Sequence, residues 1–432
     1  MVSPRQYRIE TGPMKAVRDY SMADRKTIAC PYDYYEAMRS EDPVHFDEKA
    51  GTYIVSRYED IKQALAQPLV FSSGLGFKKQ KRQDFSEEID EFYRRKGLPK
   101  FEIIVNSDPP YHTRIRSLME KAFTAHRVAT MEGYITEIAN TLIDGFIEDG
   151  NIDFVARFAV PLPIYVIADQ LGIPRSDFQD FKRWSDASVA PLGRQLDRER
   201  ALWCAEQTVE MWHYVSDRIA ERRAAPFDDM IHDLVHARID DPEAPVLTPM
   251  ELFEVVRSLI VAGNETTTTA IGNGMLILLK NPSLLDKLLA NIDDDRMFSR
   301  LTEEILRLEA PVQGLPRMTT QETELGGCKI PKGSLVYLGY ASGNRDAAKF
   351  DDPDRFSLDR RNAGQHLAFG GGIHRCIGAM LSRMEIKVAM RLLIRRLDRL
   401  KLTIPESELV YTPSMVIRPL VSLPISFAKR EC

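Results

Sequence analysis

One segment limits what this chain can fold into more than any other: the run from Thr248 to Pro282. Thr248-Pro249-Met250-Glu251 carries the Thr-x-x-Glu pattern of a capping box with proline at the first helical position, and Asn281-Pro282 closes the run. The interval predicts a helix of about 30 residues, long enough at 1.5 Å per residue to cross a whole domain. Its apolar length would suit a membrane, but Glu254, Arg257, Asn264 and Glu265 inside it argue for a buried central helix instead. The middle of the run, Ala262-Gly263-Asn264-Glu265-Thr266-Thr267, works against the helix. Glycine costs a helix interior roughly 1 kcal/mol relative to alanine, and Thr266 to Thr269 is a β-branched stretch. Such tolerance points to a bulge, or to a backbone that must pass close to a ligand.

The rest of the text is mixed but mostly helical. Strand-like signals occur at Pro43–Phe46 and Thr52–Val55, Asp108 to about Ile239 reads as helix, and the text after Pro311 turns to loops and strands. A further helix is expected from Cys376 to about Leu400, with short strands in the proline-marked tail. Lys78 to Lys100, rich in both charge signs, reads as a solvated excursion, with a helix as the alternative. A length of 432 residues by itself suggests two domains. A net charge of −5 argues against general nucleic-acid binding. Five scattered cysteines with no C-x-x-C pair read as reduced thiols of a cytoplasmic protein. Met1 to Arg25 offers no membrane anchor.

Cys376 carries the chemistry. It lies in Phe369-Gly370-Gly371-Gly372-Ile373-His374-Arg375-Cys376-Ile377-Gly378, a glycine-dense loop that runs into an apolar, basic helix. Unpaired N–H groups at a helix start favour thiolate, and glycines let a large flat ligand approach the backbone. Thiolate ligation of haem iron wants this combination, because electron-rich sulfur promotes O–O cleavage. The pattern Phe-x-x-Gly-x-x-x-Cys-x-Gly resembles the haem-binding loop of the cytochrome P450 family. Three further segments resemble that family in order. Ala262 to Thr267 is similar to its oxygen-binding groove, Glu304-x-x-Arg307 to its Glu-x-x-Arg element, and Asp108–Arg116 to the segment leading into the helix beneath the haem.

The resemblance implies one mainly α domain over 1–432 with a smaller β-rich part, which overrides the two-domain expectation from length. It places haem b (iron protoporphyrin IX) between the long helix and the cysteine loop. Cys376 would ligate the iron, with Phe369, Gly370, Gly378 and Ala262 against the macrocycle. Thr266 would hydrogen-bond dioxygen or its neighbouring water, and Glu265 would relay protons. His112, Arg116, Arg317 and His374 would hold the propionates. Leu315 stands where the family often has an acid near Arg317. Arg360 is the expected third partner of Glu304 and Arg307, in a network assigned to structure; breaking it once buried costs about 3–5 kcal/mol.

The implied activity is insertion of one atom of dioxygen into a medium-sized, mostly hydrophobic substrate. Electrons would come from a ferredoxin-type iron–sulfur protein with an NAD(P)H-dependent reductase. By family position the pocket is lined by Ile103, Ile104, Val105, Val261, Val312, Gln313, Met415 and Val416, with Gln313 as a polar handle. A cationic run, Lys78, Lys79, Lys81 and Arg82, would favour a carboxylate substrate were it not followed by acids. Arg375, Arg383 and Lys387 are the candidate docking face for the redox partner, at the head of a basic stripe (Arg383, Lys387, Arg391, Arg395, Arg399) read as solvated at its far end. Two rivals from other classes are a haem gas sensor, for which no signalling domain is left over, and a cysteine hydrolase using His374 or His366.

Overall fold

The computed structural model describes residues 15–79, 85–98, 103–191 and 196–431. Lys81 and Arg82 of the cationic run lie outside them, and the side chains of Lys78 and Lys79 are likewise outside the described part. The described residues group into two compact units that interleave along the chain. The first draws on Met1–Ser72, Glu132–Leu162 and Thr266–Cys432, the second on Ser73–Met131 and Pro163–Glu265.

The first unit holds the β structure. Its main sheet has five strands in the order β1-β2-β8-β5-β3, formed by Val44–Asp47, Thr52–Val55, Leu335–Leu338, Leu315–Thr319 and Phe71–Ser72 respectively. β1 and β2 are the two strands expected from sequence. They pair antiparallel with Val44 opposite Val55, and β2 runs parallel to β8. The alternating apolar residues Val44, Val55, Val336 and Leu338 close over Tyr58 and Ile61 of the helix Tyr58–Leu65 to make a buried core. A three-stranded sheet, β4-β10-β9, joins Asn151–Asp153, Pro424–Lys429 and Leu397–Leu402, and β6 (Thr323–Leu325) pairs with β7 (Cys328–Ile330).

Helices pack closely in the same unit. A Cβ on Gly274 would come within 2.9 Å of Ile305 and 3.5 Å of Met390. The long helix Pro249–Leu279 is thereby drawn against Asp295–Leu308 and Ala379–Arg396. Asp294 caps the second of these, its carboxylate accepting from the Arg296 and Met297 N–H groups. The long helix keeps the bounds that its caps announced. Thr248 N–H donates to Glu251 at 2.8 Å, and Glu251 N–H donates back to the Thr248 hydroxyl at 3.3 Å.

Two sequence expectations change. The last helix stops at Arg396, because Leu397–Leu402 leaves it to pair with the tail strand β10. The head of the basic stripe is ion-paired rather than open, while Arg395 and Arg399 at its far end are exposed, as read from the sequence. Arg383 pairs with Glu303 at 2.5 Å, Lys387 and Arg391 share Asp295 at 2.9 Å each, and Arg395 pairs with Asp293. Acids on and just before Asp295–Leu308 thus lace that helix to the stripe.

The second unit is helical. It contains Tyr111–Ala122, Phe178–Val189, Arg198–Ala224 and Met230–His236, so the helical reading of Asp108 to Ile239 holds. Among the described residues, Lys78 to Lys100 holds the end of the helix Ser73–Lys79 and the whole of the helix Ser86–Arg95. Arg222 and Asp229, both buried, pair at 2.8 Å, and Arg222 also donates to the Gly172 carbonyl. Gly172 sits at φ +66°, and a Cβ there would lie 2.2 Å from the Asp229 carboxylate. Among the described residues, no helix is long and apolar enough to cross a membrane.

Candidate active site

In the first unit the glycine loop is pressed against the end of the helix Tyr58–Leu65. Gly370 and Gly372 have φ of +62° and +60°, and a Cβ on Gly372 would meet the Leu65 carbonyl oxygen at 2.2 Å. Backbone approach of that kind leaves no room for another residue. The Cys376 N–H donates to the Phe369 carbonyl at 3.0 Å, closing the loop, and the helix begins three residues later at Ala379. Cys376 is exposed, whereas Cys30, Cys204 and Cys328 are at least partly buried, with burial pushing each thiol's pKa up. A Cβ on Gly378 would sit 4.0 Å from the Cys376 sulfur, an ordinary contact.

The long helix is tied to the cysteine helix within this unit. Thr267 donates to the Ser382 hydroxyl at 3.2 Å, which sets Thr266 one residue from a direct contact with the helix that follows Cys376. The helix is unbroken through Ala262–Thr267, so the bulge that its composition suggested is absent. Gly263 is not demanded by packing either, since a Cβ there would meet only Ile167 at an ordinary 3.8 Å. Ala262 is exposed and Val261, Glu265 and Thr266 are half-buried, in a helix whose following residues, Thr267 to Leu278, are buried. A helix midpoint with open flanks suits close approach by a ligand.

Arg317 lies on β5 with 3% of its surface exposed. Its guanidinium donates to the Pro316 carbonyl at 2.7 Å and lies against the Tyr340 hydroxyl. No carboxylate among the described residues pairs with it. A buried guanidinium without an acid wants an anion, and one carboxylate of a dicarboxylate macrocycle would satisfy it. With the exposed, glycine-flanked sulfur in the same unit, these residues fit haem. His374 is half-buried in the loop. In the second unit His112 is buried; desolvation and then the Arg116 charge lower its pKa, and Arg116 is bonded to Glu120 at 2.7 Å.

The structure brings Glu304, Arg307 and Arg360 together. Arg307 donates twice to Glu304 at 2.8 Å, and Arg360 donates at 3.0 Å. Glu304 and Arg307 are fully buried. Of the pocket residues, Val312, Gln313, Met415 and Val416 cluster, through a bridge from Val312 to Ile417 and a 2.8 Å bond from Gln313 N–H to the Val416 carbonyl. The Gln313 side chain donates to the Ala310 carbonyl at 2.8 Å, while its Oε1 is buried without a partner. Ile103, Ile104, Val105 and Val261 belong to the second unit. Lys387 and Arg383 are partly covered and ion-paired, whereas Arg375 is exposed.

Sequence reasoning missed three groups, two of them buried and Glu303 half-buried. Tyr340 faces Arg317 and the loop, and nothing local in the sequence marks it. Glu303 contacts His366 at 3.2 Å as well as Arg383; burial would raise its pKa, but hydrogen bonding to His366 and Arg383, with the Arg383 charge, holds it down at about 2. That contact also engages His366, leaving the hydrolase reading without a free base there. Glu385 is buried, with no charged partner among the described residues, and burial lifts its pKa well above the ordinary glutamate value.

A family model for cytochrome P450 matches residues 195–419. Over 91% of this chain and 94% of the relative, it is 36% identical to "Cytochrome P450 107B1" of Saccharopolyspora erythraea. This chain belongs to the cytochrome P450 family. It is 34% identical to the vitamin D(3) 25-hydroxylase of Pseudonocardia autotrophica, over 93% of this chain and 94% of that one. It is 35% identical to the monooxygenase PikC of Streptomyces venezuelae, over 96% and 95%. Among solved structures, CYP109Q5 from Chondromyces apiculatus superposes with a TM-score of 0.83 at 33% identity, covering 96% of this chain and 99% of that one. CYP109E1 from Bacillus megaterium, solved with testosterone, superposes at 0.79 and 32% identity, covering 92% and 99%. The fold is the family's, mainly α with a smaller β part. The protein is a P450 monooxygenase, and its cofactor is haem b with cysteine thiolate ligation.

Proposed function

We propose that this P450, acting as a single domain, oxidises a medium-sized, mostly hydrophobic molecule at a haem held by Cys376. The observation that carries the assignment is the presence, within one unit, of an exposed glycine-flanked thiol and a buried arginine that has no acid partner among the described residues. Haem bound there supplies dioxygen activation, with the thiolate promoting O–O cleavage. Cys376 gives the sulfur, with Gly378 beside it. Arg317 and His374, with His112 and Arg116, hold the propionates through charge-assisted bonds. Phe369, Gly370 and Ala262 border the ring.

Thr266 donates and accepts a hydrogen bond at the oxygen-binding position, and Glu265 passes protons to it. Both side chains stand at the open midpoint of the long helix. Val312, Met415 and Val416 give the pocket an apolar wall, joined by Ile103, Ile104, Val105 and Val261. Gln313 Oε1, buried and unpartnered, accepts from a substrate hydroxyl. A relative solved with testosterone and another named a vitamin D(3) hydroxylase support an alicyclic, hydroxyl-bearing substrate class. Electrons reach the site from a ferredoxin-type partner at the face that includes Arg375, Arg383 and Lys387.

The test is optical titration of the purified ferric protein with steroids, macrolides, fatty acids and small aromatics. A blue shift of the Soret band with sterols, weakened in Gln313→Leu, is the expected result. A haem-thiolate spectrum that responds only to fatty acids would remove the substrate class. A colourless Cys376→Ser beside a coloured wild type would agree with the ligand assignment, and an unchanged thiolate spectrum in that variant would overturn it.

A further inference from the structure

We propose that Glu303, His366 and Arg383 form a charge-balanced clamp on Phe369 that sets the reduction potential of the haem site. The inference rests on the haem assignment above. Phe369 is the ring that matters, because its carbonyl accepts the Cys376 N–H at 3.0 Å. A charge held on that ring therefore stands beside the backbone that carries the sulfur.

Three segments of the first unit converge on Phe369. The Arg383 guanidinium lies over the ring, 4.4 Å from its centroid, and the His366 ring stands 5.6 Å away at 43°. Glu303 joins the two. Its carboxylate accepts from Arg383 Nε at 2.5 Å and from Nη2 at 3.1 Å, a two-pronged pair. Its Oε2 also meets His366 Nε2 at 3.2 Å. The Ala368 N–H donates to His366 Nδ1 at 3.1 Å, which leaves the proton of a neutral ring on Nε2, facing the carboxylate. Arg383 Nη1 reaches the Ala379 carbonyl at 3.4 Å, where the cysteine helix begins. Gly364 leaves room for the carboxylate, since a Cβ there would come within 3.3 Å of Oε2.

A pair that served only to join two helices would not need this shape, because lysine could carry the charge across. Arginine's fork binds both carboxylate oxygens while its flat face covers an aromatic ring, which fixes where the charge sits. The neighbouring Glu304 is taken up by Arg307 and Arg360, so the two adjacent glutamates serve separate clusters. Burial keeps the pKa of His366 below its ordinary value, so the ring stays neutral. The clamp then holds one negative charge, on Glu303, and one positive charge, on Arg383.

These charges act on the site electrostatically. One-electron reduction adds a negative charge there, so a nearby cation favours the reduced form and a nearby anion opposes it. Paired, the two nearly cancel. Loss of the carboxylate leaves the guanidinium uncompensated and raises the potential; loss of the guanidinium leaves the carboxylate and lowers it. A unit charge about 12–25 Å away, at an effective dielectric constant of about 20, changes such an equilibrium by about threefold to tenfold. For one electron that is about 28–59 mV.

The experiment is a spectroelectrochemical titration of the substrate-free holoenzyme, with haem content and Soret band checked for each variant. Glu303→Gln is expected to raise the midpoint and Arg383→Gln to lower it, each by about threefold to tenfold in the equilibrium. The double variant should return most of the way to wild type, because the two sites are coupled. Arg383→Lys keeps the charge without the fork or the stack, and should fall between wild type and Arg383→Gln. Single variants that shift the same way, or that both stay within about 1.5-fold of wild type, would overturn the clamp while leaving the haem assignment intact. Should Glu303→Gln fail to retain haem, the Arg383 pair decides alone: a lysine variant no closer to wild type than the glutamine variant overturns the proposal. A wild type that binds no haem would sink the haem assignment instead.

Discussion

Glu304→Gln isolates the worth of the buried ion network. The Glu304 carboxylate accepts two bonds from Arg307, one from Arg360 and one from the Ser357 N–H, with no exposure to water. Glutamine keeps the shape but leaves two buried guanidinium groups facing a neutral amide, one of whose ends is itself a donor. Stranding buried charge in this way costs about 3–5 kcal/mol. At an unfolding entropy of about 2.1 cal/mol/K per residue, a chain of this length melts with about 0.9 kcal/mol/K, so the melting temperature should fall by roughly 3–6 °C. Arg360→Lys is the internal comparison. Arg360 gives Glu304 one bond and spends its others on the carbonyls of Asp351, Asp352 and Arg355, so its loss should be smaller. Calorimetry at one fixed scan rate suits a large chain prone to irreversible unfolding. A Glu304→Gln protein that melts within about 1 °C of wild type would refute the reasoning, because the charges would then be compensated elsewhere.

Other outcomes follow from the same geometry. Arg317→Leu should speed haem transfer to apomyoglobin by about 10- to 100-fold, the equivalent of a charge-assisted bond, with Arg317→Lys in between. For Glu385 the folded pKa lies above the unfolded one, so its contribution is full below the ordinary glutamate value and is lost as pH rises through the folded pKa. Urea denaturation should show stability falling by about 1.4 kcal/mol per pH unit across that window, and Glu385→Gln should flatten the slope. Glu303 has the opposite sign: held at about 2, it contributes above the ordinary carboxylate range and loses that contribution as pH falls toward 2. Reversing Arg383 and Lys387 to Glu should slow reduction by a ferredoxin and remove its salt dependence; unchanged kinetics would move the docking face elsewhere.

What the sequence determined is local. The caps around the long helix, the paired strands at 44–47 and 52–55 and the glycine loop before Cys376 are each written in neighbouring residues, because capping, strand alternation and backbone approach act over a few positions. Resemblance extended that reading to residues whose roles nothing local marks, such as Arg317 and Arg360. Tertiary structure decided the pairings between distant segments. Glu303 lies 80 residues from Arg383. It drew the head of the basic stripe into ion pairs, ended a helix early in favour of a strand and, among the described residues, left Arg317 buried without an acid and Glu385 buried without a cation. Burial and the field of distant charges are properties of the packed chain, and no periodicity along the sequence encodes them.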